Sequence, residues 1–186
     1  MKRECLESMK KIILNNEPKY EPKLNSFKYQ EQAIEFAKDL DYAAIFHEQG
    51  LGKTKIALDI ALYWLSEKEI DTVLIVTKKG LVKNWQEETK IHSYLHPKVL
   101  DNNRNSNFYV FNSATRLIVT NFETISLEKN RFKLFLKSRN VGIIIDESAK
   151  LKNPDSQLSK DFFELSPLFI KKIIMTGTPV ANRPYD

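Results

Sequence analysis

HEQGLGKT, residues 47–54, lies between two stretches of different periodicity, and reading it together with them decides the fold. Before it, YAAIF (42–46) is a short apolar run of strand length. After it, residues 53–65 place Ile56, Ala57, Ile60, Ala61 and Trp64 on one stripe, which predicts an amphipathic helix. A loop between strand and helix turns backbone N–H groups inward and aims the helix N-terminus at an anion. Gln49, Gly50, Leu51 and Gly52 form the candidate cradle, with the two glycines letting backbone approach phosphate where a Cβ would intrude. Lys53 has the reach for β- and γ-phosphates, and Thr54 offers a hydroxyl to magnesium. His47 stands where the general phosphate-loop pattern has its first glycine. A helix start that happens to read GLGKT is the competing explanation, and the strand–loop–helix context favours the phosphate loop.

Outward from this loop, helices and apolar strands alternate. Helices are predicted over 30–40, 81–91, 131–137 and near 156–165. TVLIVT (72–77), RLIVT (116–120), VGIIID (141–146) and IIMT (173–176) read as strands, the first without alternation, as expected of a strand covered on both faces. Such alternation predicts an α/β fold with a mostly parallel central sheet and helices on both faces. Residues 100–113 are the least regular; DNNRNSN reads as a surface loop, flanking a short strand FYVF. Residues 1–26 read as peripheral: Leu6, Met9, Ile12 and Ile13 fall at helical spacing, and two prolines in EPKYEPK then impose an extended connection. The domain proper spans 27–186.

IIIDES supplies the carboxylates that a magnesium–nucleotide site requires. Asp146 ends a buried strand, and in an open parallel sheet ligands gather at the carboxyl ends of strands, the edge that also carries the phosphate loop. Asp146 is thereby placed to hold magnesium and Glu147 to act on water. The competing explanation is a pair that merely ends a strand and caps the next helix; the metal reading is favoured, the more so beside a phosphate loop.

The 29 Lys and Arg against 24 Asp and Glu leave a charge of +5, which favours an anionic partner. Cys5 is the single cysteine, so neither an intramolecular disulfide framework nor a cysteine zinc site is available. His47, His92 and His96 fall in unrelated segments. No apolar run approaches membrane-spanning length, and the short run 12–14 is too brief for a signal peptide core, so a soluble intracellular protein is expected.

Taken in order, these motifs resemble the first lobe of superfamily 2 helicases, most closely the Swi/Snf-type DNA translocases. FKYQEQAIEFA (27–37) resembles that family's opening motif, whose glutamine recognises adenine; Gln30 matches it. HEQGLGKT resembles its phosphate loop, and LIVTKKGLVKNWQEE (74–88) its motif Ia, with Asn84 and Trp85 as the paired residues. IVTNFETI (118–125) resembles motif Ib, IIIDESAKLKN (143–153) the acidic motif, and MTGTPVANRP (175–184) motif III. Ala149 departs from the family, which commonly has histidine or glutamine there.

The resemblance implies a RecA-like P-loop lobe binding Mg-ATP, with Gln30 reading adenine and Lys53 and Glu147 catalytic. Thr54 and Asp146 would hold metal, and Thr176, Gly177 and Thr178 would couple nucleotide state to the nucleic-acid surface. It also implies a second RecA-like lobe, in cis or on a partner chain, whose motifs do not occur in these 186 residues. Duplex DNA is the favoured track, with RNA open. Lys78, Lys79, Lys83, Thr120 and Asn121 are the candidate phosphate contacts, against the plain reading of solvated loop residues. Trp85 can stack a base or pack a helix on the sheet, and helix packing is favoured; the same holds for Trp64. Two rival functions remain: a scaffold lobe without turnover, and a P-loop NTPase of another class.

Overall fold

A computed structural model describes residues 18–177 apart from positions 49 and 152, and leaves out the side chains of Ala149 and Lys150. The helix expected near the N-terminus lies outside the described residues. The connection after it does not: Pro22 bridges Ser93, and the Lys23 amide donates to the His92 carbonyl at 2.9 Å.

Six strands form the sheet, in the order β1–β6–β5–β2–β4–β3, and every pairing between them is parallel. They are β1 (Tyr42–Ile45), β2 (Thr72–Thr77), β3 (Lys98–Val99), β4 (Leu117–Asn121), β5 (Val141–Asp146) and β6 (Lys171–Met175). β2 is buried at every position because it lies centrally between β5 and β4. Its side chains divide by pleat, Val73 and Ile75 to one core and Leu74 and Val76 to the other.

The first core lies under α1 (Lys28–Ala37), α2 (Lys53–Ser66) and α3 (Val82–His92), with Trp64 and Trp85 both buried in it. α4 (Arg104–Phe111), α5 (Phe122–Leu127), α6 (Lys129–Ser138) and α7 (Gln157–Leu165) cover the second, filled by Phe122, Phe132, Phe135 and Phe162. Each such side chain stabilises the fold by about 1.5–3 kcal/mol relative to exposure.

Three expectations need correction. Residues 104–111 form α4, not a loop and strand: the Asn103 side chain accepts from the Asn105 and Ser106 amides, capping a helix that takes in FYVF. Buried Asn107 then ties α4 down, donating to the Asp101 carbonyl and to Glu128. Secondly, α2 is not amphipathic in burial. Residues 55–62 are all buried, since the sheet, α1 and α3 enclose it. Its two charged buried residues, Lys55 and Asp59, pair with each other, and Ser26 bonds both. Thirdly, β6 begins at Lys171, earlier than its apolar run, because that ammonium is neutralised by Asp41 and Glu69 at 3.1 and 2.9 Å.

Candidate nucleotide site at the carboxyl edge of the sheet

With all strands parallel, the loops after β1, β2, β5 and β6 open on one edge. The loop after β1 makes its turn through Gly50 at φ +85° and Gly52 at φ +69°, left-handed conformations that favour glycine. Lys53 opens α2, and its ammonium donates to the carbonyls of His47 (2.8 Å) and Glu48 (2.9 Å), so the loop wraps its own lysine. Gln49 lies outside the described residues.

Gln30, in the first turn of α1, is buried against this loop. Its Oε1 accepts from the Phe27 amide at 2.9 Å, and its amide nitrogen sits where a Cβ on residue 52 would go. The opening motif and the phosphate loop are thus in contact, 22 residues apart in sequence. Around them is a cleft of about 570 Å³ whose walls include Gln30, Gly50, Gly52, Lys53, Thr54 and Glu147. Glu88 and His92 of α3 form a wall that sequence reasoning missed, their side chains 3.1 Å apart.

Asp146 ends β5 on the face that carries α2 and α3. Its Oδ2 accepts from Trp85 Nε1 at 2.8 Å and from Thr77 Oγ1 at 3.2 Å. Neither bond uses Oδ1. Glu147 follows with φ +59°, unusual for a non-glycine residue, and accepts from Lys78 Nζ at 3.3 Å. Backbone strain of this kind clusters at functional sites. Trp85 therefore packs in the core as expected and also bonds the acidic motif, a contact that helical spacing alone does not signal.

Thr176 is buried just beyond β6, its amide 3.4 Å from the Ile45 carbonyl, and Gly177 follows half-buried. Thr178 lies outside the described residues. Of the candidate phosphate contacts, Lys78, Lys79 and Lys83 are exposed. Thr120 and Asn121 are not: Thr120 donates to the Leu100 carbonyl at 3.1 Å, and Asn121 caps α5 by accepting from the Thr124 amide at 2.9 Å. Their side chains are engaged within the lobe.

A strand-end loop folded around its lysine, a helix opening from it and a carboxylate on the same sheet edge define a RecA-like P-loop lobe. The sequence profile of the SNF2-related domain family matches residues 29–186, and the chain belongs to that family. It is 29% identical over 155 residues to the DNA repair and recombination protein RAD54-like of Drosophila persimilis, covering 73% of this chain and 19% of that protein. With the ISWI chromatin-remodeling complex ATPase ISW2 of Saccharomyces cerevisiae it shares 28% identity over 148 residues, 75% of this chain and 13% of that one. In fold it matches the Sulfolobus solfataricus SWI2/SNF2 ATPase core solved in complex with dsDNA, with a TM-score of 0.70 at 24% identity. That match covers 89% of this chain and 34% of the other. The chain thus spans about a fifth of the RAD54-like relatives' length. No helix among the described residues is long and apolar enough to cross a membrane.

Proposed function

We propose that this lobe binds Mg-ATP and forms half of a nucleic-acid-dependent ATPase that moves on DNA, duplex DNA before RNA. The observation that carries the reading is the contact of Gln30 with Gly52 at the mouth of one cleft that Lys53, Thr54 and Glu147 also line. An adenine-reading amide, a phosphate-reaching ammonium and a carboxylate for water share a single concavity there. The similarity to a DNA-repair protein and to a chromatin-remodelling ATPase agrees with it.

The donor set fits magnesium, since the Thr54 hydroxyl and the Asp146 carboxylate are hard oxygen ligands. When bound, the metal would neutralise charge across the β- and γ-phosphate oxygens. Lys53 exchanges its loop carbonyls for phosphate oxygens, which make stronger charge-assisted bonds. Gln30 directs its amide to the adenine edge. Glu147 orients the attacking water and takes its proton once Lys78 turns away. Thr176, Gly177 and Thr178 pass the nucleotide state onward. Lys78, Lys79 and Lys83 meet backbone phosphates, which position rather than specify. A second RecA-like lobe, in cis or on another chain, closes the cleft and supplies an arginine finger, a group that contributes about 10³–10⁵ in rate.

Binding and turnover measured on residues 1–186 test this reading. The chain is expected to bind ATP weakly and hydrolyse it slowly, with little response to duplex DNA. Full DNA-stimulated turnover from this chain alone would contradict the divided site, and absence of any ATP binding would contradict the nucleotide reading.

A further inference from the structure

We propose that Trp85 and Thr77 are positioning residues that orient the Asp146 carboxylate for magnesium; this rests on the nucleotide reading above. Both donate to one oxygen, Oδ2, at 2.8 and 3.2 Å. An indole N–H only donates, so the oxygen it meets serves as its acceptor. Two donors from different elements, the end of β2 and the body of α3, fix the carboxylate's rotation. Oδ1, which neither of them uses, would be the oxygen left to hold the metal.

Packing alone does not explain the arrangement. A buried tryptophan needs an acceptor, and a backbone carbonyl serves. Trp64, equally buried in the same core, uses the Lys38 carbonyl at 2.6 Å. Trp85 instead takes the one carboxylate at the end of β5, and Thr77 reinforces it. Residues that hydrogen-bond a metal ligand from behind typically govern metal affinity by about 10–100-fold. The tryptophan of the helix after β2 thereby acts on the metal through Asp146 without touching it.

The test is equilibrium binding of a fluorescent ATP analogue to the full chain, across a magnesium titration and in EDTA, for the native protein, Trp85→Phe and Thr77→Val. Trp85→Phe is expected to raise the half-saturating magnesium concentration by about tenfold or more. Thr77→Val, which loses the longer bond, raises it by less. Affinity in EDTA stays at the native value in both, which a merely structural role would not allow. Native magnesium dependence in both variants, or equal losses with and without metal, would overturn the proposal. Should Trp85→Phe lack a cooperative melting transition, the nearly isosteric Thr77→Val decides. If the native chain itself shows no magnesium-dependent binding, it is the nucleotide reading that fails.

Discussion

At position 52 two constraints meet: φ is +69°, and any Cβ would overlap the amide nitrogen of Gln30. An alanine there carries strain of about 1–3 kcal/mol and must displace the one side chain assigned to adenine. Gly52→Ala is therefore expected to weaken ATP binding at least about fivefold, the lower end of that strain being about 1 kcal/mol. Gly80→Ala is the control, because a methyl there meets nothing within 4 Å. Equal ATP affinities for the two variants in a titration would sink the contact between the opening motif and the loop. Glycine at 52 was legible in the sequence as a phosphate-loop residue; its second duty towards Gln30 was not, since no spacing rule links residues 30 and 52.

Between elements, α6 and α7 are joined by Lys129, which donates to Asp161 at 2.8 Å and also pairs with Glu164, itself paired with Lys133. Burial alone would push the Asp161 carboxyl up, but hydrogen bonds from Lys129, Ser126 and Gln157 outweigh it and hold the group below the usual carboxylate range. A carboxyl lowered by folding stabilises the native state at pH values above its unfolded value of about 3.9 and loses that contribution as pH falls below it. Asp161→Asn should melt lower than the native chain at pH 7, and the gap should close as acid is added through about pH 4 and below. A gap that is constant with pH would show that the pairing contributes nothing through ionisation. The elements themselves were largely legible. β2 and β5 announce themselves by apolar runs rich in β-branched residues and without alternation, as expected of strands covered on both faces. α4 was hidden because its helix is capped by Asn103 and held by Asn107, polar residues that locally spell a turn and reveal their bonds only when Glu128 is folded beside them. The Lys55–Asp59 pair was hidden for the same reason, as charged residues in a helix normally mark its wet face.

Over the whole lobe, one all-parallel sheet gathers the phosphate loop, the acidic pair and motif Ia onto a single edge, and the exposed lysines 78, 79 and 83 lie beside them. That shared edge explains why six short motifs, each ambiguous alone, could be read together: the fold is what makes their order meaningful. Thr120 and Asn121 lie at the end of β4 on the same edge, with side-chain bonds made within the lobe. In the function proposed above, this edge binds ATP through Lys53. Equilibrium binding of Mg-ATP to the native chain and to Lys53→Ala tests it most directly. Lys53→Ala is expected to lose at least about tenfold in affinity, because a charge-assisted bond of about 1.5–3 kcal/mol is removed. Identical affinities for the two proteins would contradict it.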